Sequence, residues 1–319
     1  MSDTQNVFSH VPVMLNEVID GLCIKPDGIY VDGTAGGAGH SSAIASRLTD
    51  GRLIAIDQDP AAVKTASERL AVFGSRAVVV RANFSEMKSV CESLGIGKID
   101  GFLLDLGVSS YQLDTPERGF SYQYDAPLSM KMNSDSDFGA YDVVNGYSFA
   151  ELCRILRDWG EEKFAARIAD GICRAREAKP IETTLELVGI VRDSLPDGGR
   201  SQQHHPAMRT FQAIRIEVNH EIDIIPPTLR DAVSLLKAGG RGCVITFHSV
   251  EDRAVKETFA ELARGCTCPR NFPVCVCGNK PKISFPSKKP VLPSEEELKI
   301  NKRSHSAKLR VVEKNPEGA

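Results

Sequence analysis

Four short apolar runs in the first third of the chain, each followed by a helical pattern, constrain the fold more than any other feature. The runs have the character of strands and lie in GIYVDGTA, RLIAIDQD, RAVVVRANF and IDGFLLDLG. The segments between them read as helices, among them PAAVKTASERLAVF with Pro60 near its start. Strands that are apolar throughout and separated by helices indicate a parallel sheet covered on both faces. The sequence therefore predicts an α/β fold.

This alternation stops after Ser110 and returns later in the chain. Residues 111 to about 130 are turn-rich, and three helical patterns follow between Ser148 and Leu195. A long helical stretch over 206–237, which we expect to break at its two adjacent prolines, leads into a further strand in GCVITF. We predict an inserted all-helical domain over 111–205 and an α/β domain formed by 1–110 and 206–319.

Length and cysteine content set the broad class of the protein. The 319 residues are too many for one core of ordinary size, in agreement with two domains. No apolar run approaches the roughly 20 residues that cross a bilayer, and the N-terminal stretch lacks the pattern of a secretory signal. The nine cysteines are an odd number. We expect a cytoplasmic protein with reduced thiols and no membrane partner.

A glycine-rich loop follows the first strand in IYVDGTAGGAGH, residues 29–40. A P-loop ends in Gly-Lys-Ser/Thr, whereas the corresponding triplet here is Gly39-His40-Ser41 and contains no lysine. A dinucleotide fingerprint needs a third glycine, and Ser42 stands in its place. Both phosphate-binding patterns are therefore poor matches.

The residues at the ends of the four strands favour another ligand. Asp32, Asp57 and Asp105 end the first, second and fourth strands, and Phe84 follows the third. Parallel strands bring such residues to one edge of the sheet, where α/β folds bind ligands. S-adenosylmethionine has a cationic sulfonium, a zwitterionic end and ribose hydroxyls, all of which acids and a loop backbone can bind. Each residue alone could be a helix cap or a turn, but together they favour this methyl donor.

Two further sets of polar residues are candidates for substrate contact. His248 follows the last strand of this series and is either a proton acceptor or base contact, or a structural histidine; Ser249 is more typical of a helix cap. The helix from Pro206 carries Arg209 and Arg215 on a polar stripe without an acid, separate from its apolar stripe. The formal net charge of −3 does not by itself suggest nucleic acid. The stripe favours contact with RNA over a merely solvated face.

A cysteine cluster with the spacing C-x-C-x6-C-x-C lies near the C-terminal end, at Cys266, Cys268, Cys275 and Cys277. Four thiolates can hold zinc, although C-x-C is less usual than C-x-x-C in structural zinc sites. The alternative is a reduced loop braced by prolines. We assign no metal ligand from the sequence.

Long motifs in order along the chain resemble the bacterial MraW/RsmH family, from about His10 to Val312. The resemblance implies a class I (Rossmann-like) methyltransferase sheet with a helical domain inserted after the fourth strand. It also implies transfer of a methyl group from S-adenosylmethionine to the exocyclic N4 amine of a cytidine in 16S ribosomal RNA near the decoding site, within the small ribosomal subunit. The motifs are HVPVMLNEVIDGL, DGTAGGAGHS, IAIDQDP, IDGFLLDLGVSSYQLD, RGFSY, WGEEKFAARIA, HPAMRTFQAIRIEVN, FHSVEDR and SAKLRV.

The resemblance also implies roles for individual residues. Many members have glycine where Ala38 stands, so a positive φ there would be a departure with a steric cost. Asp105 and His248 are the expected catalytic residues, and Arg209, Arg215 and Ser249 the expected substrate contacts. The positions that match the family's cofactor residues are Ala38, Gly39, His40, Asp57, Phe84, Asp105 and Gln112.

The substrate amine sets the chemical requirements. Its lone pair is delocalised into the cytosine ring, so the enzyme must align the nitrogen with the methyl group and accept a proton. Asp105 is present after the fourth strand, but the Pro-Pro-aromatic platform of many amino-methyltransferases is not; we expect Phe120, Tyr122 or Phe247 to stack on the base. A small-molecule methyltransferase and a non-catalytic RNA-binding protein of ribosome assembly are the alternatives.

Overall fold

The computed structural model of the protein describes residues 12–199, 204–269, 272–274 and 276–316 and divides into two compact units. The α/β unit is formed by residues 1–107 and 222–319, and the helical unit is the segment Val108–Glu221 between them. An inserted helical domain was predicted, with its end at residue 205. The helical unit instead ends at Glu221 and so contains the helix that carries Arg209 and Arg215.

The α/β unit is built around one mixed sheet, in which the described strands follow the order β3-β2-β1-β4-β5-β7-β6. The strands are β1 (Ile29–Asp32), β2 (Arg52–Asp57), β3 (Ala77–Arg81), β4 (Ile99–Asp105), β5 (Leu236–Thr246), β6 (Ile283–Ser284) and β7 (Lys308–Lys314). The helices of this unit are α1 (Leu15–Leu22), α2 (Gly39–Ala45), α3 (Pro60–Leu70), α4 (Met87–Ser93), α11 (Ile225–Leu235), α12 (Ser249–Leu262) and α13 (Glu295–Ile300).

The strand order determines where a ligand can bind. β1 pairs in parallel with β2 on one side and with β4 on the other, and β4 pairs in parallel with β5. The chain therefore leaves β1 in one direction and returns on its other side, which opens a crevice at the carboxyl ends of these strands. β7 is antiparallel to β5, so the predicted parallel sheet is correct for β1–β5 only.

The local sequence explains why these elements form. Ile54, Ile56 and Phe102 are fully buried, because the central strands are covered by helices on both faces. α3 begins at Pro60, as predicted, and the Asp59 side chain caps it by accepting a hydrogen bond from the Ala61 N–H (3.0 Å).

The helical unit has its own apolar core. Its helices are α5 (Ser110–Asp114), α6 (Ala140–Gly146), α7 (Phe149–Asp158), α8 (Ala165–Ala178), α9 (Thr184–Ser194) and α10 (Met208–Asn219). Capping boxes begin α5, α7 and α9, each with a Ser or Thr at the N-cap. Over residues 150–190 the structure contains helices and no strand, as the sequence predicted.

Two sequence expectations about helix ends are wrong. The two prolines at 226 and 227 do not break a helix; they occupy the first turn of α11, where a missing N–H is tolerated. The N-cap of α12 is His248 rather than Ser249. Among the described residues, no helix combines the length and apolar character needed to cross a bilayer.

Candidate active site

The glycine loop between β1 and α2 is held tightly by its surroundings. The Ala35 N–H donates to Ile56 O (2.9 Å), and Arg69 Nη1 donates to Gly37 O (2.6 Å). A Cβ atom at Gly33 would lie 2.5 Å from Leu104 Cδ2, and one at Gly39 would lie 2.3 Å from Pro12 Cγ. The loop is therefore a rigid cradle in which these glycines are required for close packing.

Ala38 has a left-handed backbone conformation, with φ 61° and ψ 27°, at the N-cap of α2. An L-residue in this region costs roughly 1–2 kcal/mol relative to right-handed geometry. The departure from glycine noted in the sequence is therefore a real source of strain. The residue is fully buried, so its surroundings hold the conformation in place.

Asp32, at the end of β1, anchors the loop from within the protein. Its carboxylate accepts hydrogen bonds from the Thr34 N–H (3.1 Å) and from Ser41 Oγ (2.6 Å). Burial raises the pKa of Asp32 above its usual value. This acid joins the start of the loop to α2, so its role is to shape the site.

Asp57, at the end of β2, faces the same loop. Its Oδ2 accepts a hydrogen bond from the Gly36 N–H (2.8 Å), and its Oδ1 accepts one from the Asp59 N–H (2.9 Å). Burial raises the pKa of Asp57 to about 6, although these two hydrogen bonds oppose the shift. Each oxygen keeps a further lone pair, so the ionised carboxylate can accept two ribose hydroxyls.

Phe84 begins the short 3-10 helix that follows β3. Asn83 caps this turn and also donates from Nδ2 to Gln58 Oε1 (2.9 Å), which links the ends of β2 and β3. The Phe84 ring is partly exposed, and its Cβ lies beside Gly33. The residue is placed to border a flat ligand group next to the glycine loop.

Asp105, at the end of β4, has the most unusual environment. Its N–H donates to Thr34 Oγ1 (2.6 Å), which fixes the backbone. Its buried Oδ1 has no hydrogen-bond partner in the described part of the chain. Burial raises the pKa of Asp105 well above its usual value, and the negative charges of Asp32, Glu251 and Glu297 raise it further. Such a carboxyl is suited to a cationic ligand or to a proton.

His40, at the end of the glycine loop, lies between Asp105 and the segment before α1. It is buried, with Nε2 3.0 Å from Val13 O and Nδ1 3.8 Å from Asp105 Oδ2. A carbonyl can only accept, so Nε2 carries the proton in the neutral ring. The Nδ1 lone pair then faces Asp105 Oδ2 at 3.8 Å, beyond hydrogen-bond distance.

His248 follows β5. It caps α12, in addition to its predicted role as a proton acceptor or base contact. Its Nδ1 accepts a weak hydrogen bond from the Glu251 N–H (3.4 Å), and its Nε2 lies 2.9 Å from Glu251 Oε1. Glu251 in turn accepts from the Phe247 N–H (2.8 Å). The geometry makes His248 a helix cap; its role in proton transfer stays a prediction. Ser249 is exposed at the first position of α12, and its substrate contact also stays a prediction.

The predicted residues in the helical unit have internal partners. Gln112 is buried in the capping box of α5, where its Oε1 accepts from the Ser109 N–H (3.0 Å). Arg209 Nη1 donates to Glu161 O (3.0 Å) but keeps partial exposure. Cofactor binding by Gln112 and RNA contact by Arg209 stay predictions.

Arg215 also has an internal partner. Its guanidinium is largely buried and binds Glu221 through two hydrogen bonds of 2.8 and 2.9 Å. The remaining residues of the predicted polar stripe also bond within the unit: Gln212 to Trp159 O, and Asn219 to Met130 O. These three stripe residues therefore have hydrogen-bond partners within the helical unit, and contact of Arg215 with RNA stays a prediction.

The three aromatic candidates for base stacking differ in their environment. Phe120 is buried in the core of the helical unit, so its assignment as a stacking surface is wrong. Tyr122 is already stacked on His205, with ring centroids 4.3 Å apart. Phe247 is partly exposed after β5 and is the remaining candidate in the α/β unit.

Sequence reasoning overlooked two members of the acidic group around Asp105. Glu251 stands three residues after His248, which is the spacing of a capping box and could have been recognised. Glu297 comes from α13, where its Oε1 accepts from the Met14 N–H (2.8 Å). No local signal in the sequence connects residues so far apart.

The sheet order, the glycine loop after β1 and the acids at the carboxyl edge together define a class I methyltransferase fold. The chain belongs to the MraW methylase family, whose model matches residues 7–315. It is a methyltransferase, and S-adenosylmethionine is its methyl donor. The partnerless Oδ1 of Asp105 and the rigid glycine cradle fit this cationic cofactor.

Three curated relatives cover almost all of the chain. A protein of Agathobacter rectalis named ribosomal RNA small subunit methyltransferase H 2 is 57% identical over 97% of this chain and 99% of its own length. Proteins named ribosomal RNA small subunit methyltransferase H are 54% identical in Ruminiclostridium cellulolyticum and 53% identical in Clostridioides difficile. Each of these two matches covers 96% of this chain and 99% of the relative.

Proposed function

We propose that the protein methylates the exocyclic N4 amine of a cytidine in 16S ribosomal RNA, near the decoding site of the small ribosomal subunit, in the cytoplasm. The observation that carries the proposal is the buried, partnerless Oδ1 of Asp105 at the sheet edge. The names of the relatives, which act on ribosomal RNA of the small subunit, support the substrate class.

The donor is held by the carboxyl edge of the sheet. The backbone from Gly36 to His40 would bind its methionine end together with Asp105, Asp57 would accept the ribose hydroxyls, and Phe84 would border the adenine. Gln112 is a further proposed contact of the donor. When bound, S-adenosylmethionine supplies an activated methyl group on a positively charged sulfur.

Asp105 provides what the acceptor amine lacks. An amine proton of cytosine donates a hydrogen bond to the carboxylate, which increases electron density on the nitrogen and orients its attack on the methyl carbon. The amine nitrogen held in this way would attack the methyl carbon of the bound donor, and the electron pair of the C–S bond would remain on sulfur. The amine then loses a proton to Asp105. Burial, together with the neighbouring negative charges, raises the pKa of Asp105, which makes its carboxylate a stronger proton acceptor than an ordinary aspartate.

His248 acts next to Asp105 in this proposal. Its ring contacts the base or relays the proton, while its interaction with Glu251 keeps the turn after β5 in place. Phe247, partly exposed in the same turn, is proposed to stack on the cytosine. No step in this scheme needs a covalent bond between the protein and the ring, because the exocyclic amine itself is the nucleophile.

The experiment uses small ribosomal subunits from cells that lack this methylation. They are incubated with the full-length protein and donor labelled in its methyl group, and the RNA is digested to nucleosides for mass spectrometry. We expect the label in N4-methylcytidine, and at least about 100-fold less of it with Asp105→Ala. Asp231→Asn, on the exposed face of α11, is the matched control and should retain activity.

The same experiment separates the alternatives. Label in a ring-carbon or ribose methyl group would contradict the assigned acceptor atom. RNA that binds the protein but acquires no label would indicate a non-catalytic assembly factor. Label transferred only to small molecules in an added extract would indicate the small-molecule methyltransferase.

A further inference from the structure

The connection between α12 and β6 contains a group of cysteines that the methyl-transfer scheme does not use. The Sγ atoms of Cys266, Cys268 and Cys277 all lie within 4.8 Å of one another. Cys275, the fourth cysteine of the sequence motif, lies outside the described residues. The three described thiols thus converge on one point although up to 11 residues separate them.

The distance between two of these sulfurs distinguishes the possible chemistries. Cys266 Sγ and Cys277 Sγ are 3.7 Å apart. A disulfide requires about 2.05 Å between its sulfurs. Two thiolates bound tetrahedrally to zinc at about 2.3 Å from the metal are separated by about 3.8 Å, as simple trigonometry gives. The observed separation excludes a disulfide and leaves room for two ligands of one metal ion.

Backbone N–H groups point at the sulfurs in a reciprocal pattern. The Thr267 N–H, within the first C-x-C pair, donates to Cys277 Sγ (3.3 Å), and the Val276 N–H donates to Cys268 Sγ (3.3 Å). The Asn279 N–H lies 3.5 Å from Cys277 Sγ. Donors to sulfur stabilise the thiolate over the thiol, and outer contacts of this kind orient metal ligands.

The described residues of the loop form no hydrophobic core that would hold it in this shape. None of its described residues from 265 to 280 is buried, and Phe272, Val274 and Val276 are exposed. Its base is closed by Asn279 Nδ2, which donates to Gly265 O (2.7 Å). A metal ion that joins the two ends of the loop would supply the stability that burial does not.

We propose that Cys266, Cys268 and Cys277 bind a zinc ion that stabilises this loop. Soft thiolate ligands and the tetrahedral sulfur separation favour zinc over the oxygen-binding cations. Binding releases the thiol protons to solvent and changes no oxidation state. The site is a structural one, because its ligands belong to the loop itself and not to the acids of the sheet edge.

The test is the metal content of the full-length protein, purified in the presence of a thiol reductant without chelator. We expect a single zinc ion per chain by plasma mass spectrometry. Replacement by Co2+ should give the intense thiolate-to-cobalt charge-transfer band and the visible bands of tetrahedral cobalt. Removal of the metal by a strong chelator should make the loop sensitive to trypsin, with cleavage at Arg264 or Lys280.

Cysteine variants test whether these residues are the ligands of the metal. Cys266→Ser and Cys277→Ser should lose the zinc and the charge-transfer band, whereas Cys23→Ser, an exposed cysteine elsewhere in the chain, should retain both. Protein without zinc that also gives no cobalt–thiolate band would overturn the proposal, as would undiminished zinc in Cys277→Ser or disulfides among these cysteines under reducing conditions. None of these readouts involves methyl transfer, so the result is independent of the proposed function.

Discussion

Asp105 in the α/β unit and Glu217 in the helical unit are two poorly exposed acids with opposite environments. Glu217 accepts hydrogen bonds from Tyr147 Oη (3.0 Å), Arg154 Nη2 (2.8 Å) and Trp159 Nε1 (2.7 Å). Asp105 Oδ1 has no partner among the described residues. A carboxylate whose hydrogen bonds are all made within the protein stabilises the fold. A carboxylate oxygen without such a partner is available to a ligand.

The surroundings of the two acids reinforce the difference. Burial, and after it the hydrogen bond to Glu217 and the charge of that acid, raise the pKa of Tyr147 to about 12. Around Asp105 the neighbouring charges are negative, and they raise its pKa. The hydrogen bonds of Glu217 are therefore satisfied within the helical unit, whereas Asp105 is suited to bind a cation or a proton.

The largest expected effect is that of Asp105→Ala on catalysis. We predict that methylation falls by at least about 100-fold, since both the hydrogen bond to the amine and the proton acceptor are lost. Thermal unfolding should show no loss of stability, because the variant removes a buried carboxyl oxygen that has no hydrogen-bond partner among the described residues. Methylation near the wild-type rate, measured with the labelled donor, would show that Asp105 is not the acceptor.

Glu217→Ala should instead lower the stability of the helical unit and leave methylation unchanged. Loss of this acid leaves the partly buried donors of Tyr147 and Trp159 unsatisfied, and we expect a cost of roughly 2–4 kcal/mol in the stability of the helical unit. Trp159 is the only tryptophan of the chain, so its fluorescence during urea unfolding reports on this unit. Glu177→Ala, an exposed acid on α8, is the matched control and should leave the unfolding midpoint unchanged.

This contrast explains which parts of the molecule could be predicted from the sequence. The central strands and the acids at their ends follow from apolar runs and from the geometry of parallel sheets, and β1, β2 and β4 end at the predicted acids. The polar stripe of α10 could not be interpreted in the same way. Arg215 appears basic and open in the sequence, but its partner Glu221 lies beyond the end of the helix.

The domain boundary was missed for a related reason. An amphipathic helix shows its apolar face without showing which core that face joins, so α10 was assigned to the α/β domain. Ile214 and Phe211 of this helix are buried in the core of the helical unit. The cap formed by His248 was missed because histidine is unusual at that position, although the spacing to Glu251 fits a capping box.

The pH dependence of donor binding tests Asp57. Only the ionised carboxylate can accept both ribose hydroxyls, and the pKa of Asp57 is about 6. We predict that donor affinity falls by about tenfold for each pH unit below that value, by calorimetry, and that Asp57→Asn binds weakly with little pH dependence. An unchanged affinity at pH 5 in the wild type would contradict this role.

The raised pKa of Asp57 also affects the stability of the protein without donor. Donor binding should strengthen as the pH rises, whereas this stability should fall. Because the folded-state pKa of Asp57 is raised above 3.8, its contribution to stability is full below about that pH and is lost as the pH rises through about 6. The protein without donor should thus become slightly less stable over this interval. Asp57→Asn should remove that part of the pH dependence of unfolding.

His248 should have a smaller effect, confined to turnover. We predict that His248→Ala reduces methylation with nearly unchanged donor affinity, and costs about 1 kcal/mol through the lost cap of α12. His248→Asn retains a capping group without an imidazole. If its methylation is as low as that of the alanine variant, the ring takes part in the reaction; full activity in either variant would leave His248 a purely structural role.

Ala38→Gly should have the smallest effect. Glycine adopts the left-handed conformation of this position without the steric cost of a Cβ atom, but it also loses more conformational entropy on folding. We expect a net gain of about 0.5–1 kcal/mol in stability and unchanged donor affinity. A loss of stability in denaturant titration would mean that the alanine methyl group contributes more packing energy than its strain costs.

The most direct test of the account compares donor binding in the two acidic variants side by side. S-adenosylmethionine is titrated calorimetrically into the wild type, Asp105→Ala and Glu217→Ala at a temperature where all three are folded. The account predicts that Asp105→Ala weakens binding at least about tenfold, since a charge-assisted hydrogen bond contributes about 1.5–3 kcal/mol, while Glu217→Ala binds as the wild type does. Equal affinities in all three proteins would contradict the claim that the partnerless acid of the sheet edge binds the donor.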